Sequence, residues 1–244
     1  MPHLRAILFD YVHTLVDSGD TGALRWYFFR LALRRLVREF PRRRQELPFL
    51  FFGVVGYVAR AYSISYEKGQ AQEVDLWQLF DQGFRMQGLP LDEPLVDEVV
   101  ELNHRAYAER LIVPETTRRT LVQLKERGLR LGVVSNNILQ LRWMTGFPLI
   151  RADDCLLDTV VLSSDVGVRK PEPRIYQEAL ARLGVEASRT VFVGDRVAED
   201  VRAPKALGMP RAFLTQEFRR EADPRGEADG VIRQLPELLE LLPD

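Results

Sequence analysis

The sequence predicts an α/β protein with a three-layer, Rossmann-like parallel-sheet core and a helical domain inserted after the first strand. Three observations carry that expectation. Short, mostly apolar runs such as Leu4–Phe9 and Thr190–Val193 have the character of strands buried on both faces. After Pro114 such runs alternate with helical segments that stop at glycines, the pattern of a parallel sheet covered on two sides. Between the first run and the rest, from about Asp20 to Arg110, apolar residues recur at helical spacing and little reads as strand. The expected division is residues 1–19 and 111–244 for the core and 20–110 for the helical insertion.

Leu4–Phe9 ends at Asp10 and is the first strand. Pro41, Pro48 and Gly88-Leu89-Pro90 divide the insertion into candidate helices Thr21–Phe40, Leu47–Tyr62, Val74–Gln87 and Glu93–Arg110. In the core, Thr116–Arg127 is a helix stopped by Gly128, and Leu129–Val134 is the next strand. Val160–Leu162 is a short strand before a polar loop. Glu172–Leu183 is a helix closed by Gly184. The strand Thr190–Val193 runs into Gly194-Asp195, and the helix Val197–Leu207 ends at Gly208. Ala212–Leu214 and Gly230–Ile232 complete the sheet, and Leu235–Leu241 is the last helix.

A chain of 244 residues, 46% apolar, buries a full core, which excludes a disordered protein. With 34 Lys and Arg against 35 Asp and Glu it has no overall basic field, so no nucleic-acid partner is expected. The lone cysteine, Cys155, makes no intrachain disulfide, and the N-terminus runs straight into a strand; both point to the cytoplasm. The uncharged stretch Leu47–Ala59 falls short of the roughly 20 apolar residues that span a bilayer, so it reads as a buried helix or a subunit contact rather than a membrane segment. The chain is expected as a monomer or homodimer.

Open parallel sheets bind ligands at the carboxyl ends of their strands, so what each strand delivers there matters most. The first delivers Asp10, Tyr11, Val12, His13 and Thr14; the second delivers Ser135-Asn136-Asn137. The third leads to Val168-Arg169-Lys170-Pro171, and the fourth to Gly194-Asp195 with Glu199 and Asp200 beyond. Singly, a strand-end Asp is often a helix cap and a lysine is often solvated. Together they place a carboxylate, a hydroxyl, a cation and an acidic group at four separate strand ends.

Four segments carry a resemblance: ILFDYVHTLVD, VVSNN, VRKPEPRIYQEAL and VFVGDRVAEDVRAPKALGM. They are similar to the four motifs of the haloacid dehalogenase superfamily, whose helical cap occupies the position of the insertion. The resemblance implies a Mg²⁺-dependent hydrolase of small phosphorylated substrates. It implies that Asp10 attacks phosphorus to form an aspartyl phosphate, with Mg²⁺ held by Asp10, Asp195 and the backbone carbonyl of Val12. Asp200 would hold the metal or its waters, with Glu199 as the alternative. Ser135, the backbone N–H of Asn136 and Thr14 would hold the phosphate, and Lys170 would neutralise the developing charge and steady Asp10.

One departure bears on turnover. The family's phosphatases carry a second aspartate two residues after the first, as general acid and base; here that residue is Val12, and the next is His13. Loss of such an acid costs ~10²–10⁴ in rate. Three readings follow: a phosphatase in which His13 replaces the acid, a hydrolase of dehalogenase or phosphonatase type, or a protein that binds a phosphorylated ligand or partner without turnover. The acidic Asp195 speaks against a dehalogenase. Lys68, the cap's only lysine and hence the candidate Schiff base, reads better as a loop residue. Arg30, Arg34 and Arg38 share one helical face, read either as a solvated surface or as an attractor for anionic substrate. His3 and His104 are expected to be surface or satisfied structural histidines, and Cys155 a buried or loop thiol.

Overall fold

The protein is described from a computed structural model covering residues 4–19, 21–150, 154, 156–223 and 225–242; His3 and Cys155 lie outside the described residues. Its centre is a six-stranded sheet in the order β3-β2-β1-β4-β5-β6. The strands are β1 (Ala6–Phe9), β2 (Arg130–Ser135), β3 (Thr159–Leu162), β4 (Thr190–Gly194), β5 (Ala212–Thr215) and β6 (Gly230–Ile232), and every pair is parallel. β1 is central and wholly buried, which is why it carries no polar residue. Its alternate side chains enter two different cores. Ile7 and Phe9 join Val133, Val193 and the helical insertion, whereas Ala6 and Leu8 join Phe192, Tyr176 and Val201 on the opposite face. Phe9 is level with Val133 on one side and Val193 on the other, so Asp10 emerges beside the ends of β2 and β4.

The insertion holds four helices: α1 (Thr21–Glu39), α2 (Leu47–Glu67), α3 (Leu76–Met86) and α4 (Glu93–Ala108). Aromatic packing joins them. Phe28 of α1 meets Phe51 of α2 and Phe80 of α3, each with ring centroids 5.7 Å apart and edge to face. Side chains cap the two later helices, Asp75 accepting from the backbone of Trp77 and Gln78, and Asp92 from Leu95. Asp75 therefore starts α3 two residues after the expected Val74. The two chain crossings between core and insertion lie side by side, with Asp17 and Ile112 exchanging backbone hydrogen bonds at 2.9 Å.

α2 corrects one expectation. The helix expected over Leu47–Tyr62 continues past the uncharged stretch and past Tyr62 to Glu67, giving 21 residues. By length and composition the helix is long enough to cross a membrane, and 17% of its apolar window is buried. Leu47, Phe51 and Val54 face the aromatic core, whereas Phe49 and Phe52 are exposed.

The remaining helices, α5 (Glu115–Glu126), α6 (Ser163–Val166), α7 (Pro173–Leu183), α8 (Ala203–Ala206) and α9 (Leu238–Leu241), cover the sheet. Two depart from the sequence reading. α6 is a single turn where a polar loop was expected. The expected helix Val197–Leu207 is a π-helical turn over Val197–Arg202 followed by the short α8. Pro204 has no N–H to continue an α-helical ladder, and Asp200 is turned inward onto the backbone of Asp195 and Arg196.

Candidate active site

Asp10, Ser135, Lys170, Asp195 and Asp200 come together at the carboxyl edge of the sheet, and all five are buried. The Lys170 ammonium is the hub: Nζ donates to Asp10 Oδ1 and to Asp200 Oδ1, both at 2.7 Å. Burial works against the Lys170 charge, but Asp10 and Asp200 beside it outweigh burial and hold the ammonium well above its ordinary pKa. Asp200 is saturated, since its other oxygen accepts from the backbone of Asp195 at 3.0 Å and Arg196 at 2.9 Å. Gly194 makes room for it. A Cβ at that position would lie 2.2 Å from the Asp200 carboxyl carbon.

Asp195 is the group left in need. Its Oδ2 is buried with no hydrogen bond among the described residues, and Arg219 approaches only to 3.6 Å, beyond hydrogen-bond range. Burial pushes the Asp195 carboxyl up to about 7, and the charges of Asp10 and Asp200 add to the effect. Oxygen atoms of Asp10, Asp195 and Asp200 lie within 4.8 Å of one another. An all-oxygen donor set with one buried carboxylate oxygen that makes no hydrogen bond fits a hard divalent cation such as Mg²⁺.

The second strand end takes a role the sequence did not disclose. The Asn136 side chain braces the lysine loop: its Oδ1 accepts from the Lys170 backbone at 2.6 Å and its Nδ2 donates to the Lys170 carbonyl at 3.0 Å. The same Nδ2 donates to Glu199 Oε2 at 3.1 Å, and Glu199 lines the cavity. Burial pushes the Glu199 carboxyl up to about 6, against the pull of Lys170.

In the first loop, Tyr11 turns away from the site, its hydroxyl donating to the Pro148 carbonyl at 2.7 Å, so it does not plug the opening. Val12 and His13 line the cavity. His13 holds a left-handed backbone (φ 66°), an uncommon state for a residue with a Cβ. Its Nδ1 is buried without a hydrogen bond and lies 4.0 Å from Asp17. Burial holds the imidazole below its ordinary pKa despite the nearby carboxylates of Asp17 and Asp10. The Thr14 hydroxyl is also buried and without a hydrogen-bond partner among the described residues.

The cavity above these groups has a volume of ≈ 510 Å³. Arg25, Arg196 and Arg219 contribute its cationic lining, three residues the sequence reading did not single out. Arg30, Arg34 and Arg38 are exposed and do not line it, nor does the exposed Lys68 at the end of α2.

A further group missed in the sequence joins cap to core. Arg169, next to Lys170, makes a buried ion pair with Glu73, whose carboxylate also accepts from Ser163 Oγ. Arg169 donates to Ser65 Oγ at 3.0 Å and lies 4.1 Å from the Tyr66 ring centroid. Backbone bonds complete the junction, Arg169 to the Ala71 carbonyl at 2.7 Å and Glu73 to the Gly167 carbonyl at 3.0 Å. Adjacent charged residues, Arg169 and Lys170, thus serve opposite directions, one toward the cap and one toward Asp10. A buried Glu within a helical insertion carries no local sequence signal that would have revealed the pair.

The fold and this strand-edge cluster define a hydrolase class. Residues 4–208 match the haloacid dehalogenase-like hydrolase family, and the chain belongs to it. Among its relatives, the glyceraldehyde 3-phosphate phosphatase of Methanocaldococcus jannaschii is 32% identical over 241 residues, covering 98% of this chain and 97% of that protein. The enzyme of the same name from Methanothermobacter thermautotrophicus is 37% identical over 134 residues, a match spanning 53% of this chain and 58% of that one. The 2-haloacid dehalogenase of Pseudomonas syringae pv. Tomato DC3000 superposes with a TM-score of 0.70 over 98% of this chain and 97% of that one; at 22% identity this likeness is one of fold. The chain is a hydrolase whose full-length relatives include named phosphatases.

Proposed function

We propose that this chain is a Mg²⁺-dependent phosphomonoester hydrolase acting through an aspartyl phosphate on Asp10. The observation that carries the proposal is the pairing of Asp10 with the buried Lys170, beside the Asp195 oxygen that makes no hydrogen bond, at the floor of an open cavity. Relatives named as phosphatases support it. Bound by Asp10, Asp195 and the Val12 carbonyl, with Asp200 behind them, Mg²⁺ would screen the phosphate dianion from the carboxylates and polarise phosphorus.

The chain's own groups then divide the work. Lys170 fixes the Asp10 carboxylate through Oδ1 and offsets charge on the transferring phosphoryl group. Ser135 and the Asn136 backbone N–H hold phosphate oxygens; Thr14, expected from the sequence to join them, is fully buried and does not line the cavity. Asp10 attacks phosphorus, the ester oxygen leaves as an alkoxide or aryloxide that takes its proton from solvent water, and a water molecule then attacks phosphorus, releasing phosphate and regenerating the Asp10 carboxylate. Val12 gives no proton to the leaving alcohol. His13 is the cavity-lining imidazole beside it, and its depressed pKa favours the neutral ring, which accepts a proton from the attacking water. With no acid at position 12, esters with good leaving groups turn over fastest.

The test is phosphate release from an aryl and an alkyl phosphate, with and without Mg²⁺. Release is expected to require Mg²⁺, to fall by about 10⁴-fold or more in Asp10→Asn, and to favour the aryl ester. Release from neither ester above the Asp10→Asn level would overturn the phosphatase reading. Equal aryl and alkyl rates that diverge in His13→Ala would make His13 the acid as well as the base.

A further inference from the structure

The cavity's two ends differ in chemistry. Charged and hydroxyl groups gather at its floor, where Asp10, Ser135 and Asp195 lie. The far wall comes from three cap helices and is built of Leu24 and Phe28 from α1, Val55 and Val58 from α2, and Leu76 and Phe80 from α3. Leu24, Val55 and Val58 are only half-buried, so apolar surface remains open on a cavity wall rather than being consumed in the cap's own core. The polar additions from the cap are few. Arg25, Asn103 and Tyr107 line the cavity, Tyr107 close enough to Asp10 to feel its charge, while Tyr62 and Tyr66 pack against each other at 4.8 Å and face Arg169.

A phosphate bound at Asp10 directs the rest of its ester toward that wall. Against the Leu, Val and Phe part of that wall, a hydroxylated organic group would give up its water for side chains that offer no hydrogen bonds. An alkyl or aryl group would exchange water for Leu, Val and Phe surface. A volume of ≈ 510 Å³ exceeds what a phosphate alone requires and falls in the range of sites that enclose a small organic ligand.

We infer that the substrate class of this site is a phosphomonoester with an apolar organic group of several carbons, in contrast to the short hydroxylated triose phosphate for which its relatives are named. The inference rests on the phosphatase reading for turnover but not for binding, and two measurements keep them apart. The first is the affinity of Mg²⁺-loaded wild-type protein for ethyl-, butyl- and hexylphosphonate, which cannot be hydrolysed, by titration calorimetry. The second is kcat/KM for the corresponding alkyl phosphates and for glyceraldehyde 3-phosphate; unbranched alcohols of similar acidity leave chain length as the variable.

Affinity and kcat/KM are both expected to rise about three- to fourfold per methylene. Hexyl phosphate should outperform glyceraldehyde 3-phosphate, and the near-isosteric double substitution Val55→Thr/Val58→Thr should flatten the dependence on chain length. Flat or falling phosphonate affinity, together with Asp10-dependent phosphate release, would overturn the apolar class and leave the phosphatase standing. Rising affinity without Asp10-dependent release would uphold the apolar ligand and overturn hydrolysis instead.

Discussion

The floor and the wall of the cavity are held by opposite kinds of interaction. At the floor, Lys170, Asp200, Asn136 and the backbone of residues 195 and 196 form a network in which each donor has a single geometric solution. In the cap, aromatic and aliphatic side chains pack through non-directional contacts that tolerate changes of shape. The difference teaches where each property of the enzyme is kept. Reaction type depends on atoms fixed to within tenths of an ångström, and the sheet supplies that rigidity. Selectivity depends on the shape and polarity of a wall, which the helices can vary without disturbing the chemistry. The two regimes meet at the buried Glu73–Arg169 pair, where a directional ion pair anchors the apolar cap to the lysine loop.

That junction offers the largest test of the contrast. Glu73→Ala leaves the Arg169 guanidinium buried without its carboxylate, and removal of one partner of such a pair costs about 3–5 kcal/mol. Urea unfolding is expected to show a loss of that order. Glu73→Ala/Arg169→Met should recover much of it, because no uncompensated charge is then left in the interior. A loss below about 1 kcal/mol in the single variant would mean that the apolar contacts, not the ion pair, hold the cap in place.

The same contrast explains what could be read from the chain. β1, β2 and β4 were legible because a fully buried parallel strand must be apolar along its length, and Asp10 and Asp195 were legible as the polar residues that end two such runs. Lys170 was legible through the local VRKP context. Asn136 was placed correctly as a strand-end residue, but its side-chain bonds to a loop 34 residues away depend on tertiary register, which no local pattern encodes. Arg25, Arg219 and the Glu73–Arg169 pair were hidden for a related reason. A charged residue on a helix reads as solvated unless its partner, distant in sequence, is known. The inward turn of Asp200 joins local bonds, to the backbone of Asp195 and Arg196, with a distant one from Lys170, and the distant one is what no local pattern encodes.

His104 sharpens the comparison from the cap side. It lies in α4, donating from Nδ1 to the Val100 carbonyl at 2.7 Å and accepting at Nε2 from the Gln140 backbone at 3.2 Å. It is thus a satisfied structural histidine that ties the cap to the loop after β2. Burial lowers its pKa to about 4. The unfolded chain binds a proton at this residue near pH 6.5, whereas the folded chain does so only near 4. Between those values the unfolded state holds more protons, so stability falls as the pH drops from about 6.5 to 4 and this contribution levels off below. The loss amounts to about 3 kcal/mol. The check is the difference in unfolding free energy between wild type and His104→Gln from pH 7 to 4, in which the other titrating groups cancel. A difference that does not change with pH would show that His104 is solvated in the folded state.

The smallest expected effect concerns Val12, the apolar residue two positions after Asp10. Val12 is half-buried against the cavity, in a turn held by backbone bonds from His13 to the Val16 carbonyl and from Leu15 and Val16 to the Tyr11 carbonyl. None of these bonds involves the Val12 side chain, so an aspartate there should leave the turn unchanged. Val12→Asp is expected to raise turnover of an alkyl phosphate by about 10²-fold, the lower end of what a general acid supplies, and to change aryl phosphate turnover little because a phenolate leaves unprotonated. If alkyl turnover does not rise, the carboxyl cannot reach the leaving oxygen from this turn, or His13 already provides the proton; Val12→Asp/His13→Ala separates the two. A rise of the double variant over His13→Ala, with none of Val12→Asp over wild type, would place the proton on His13 in the wild-type protein. The floor would then tolerate substitution of a directional group by its neighbour, and its contrast with the cap would be one of degree.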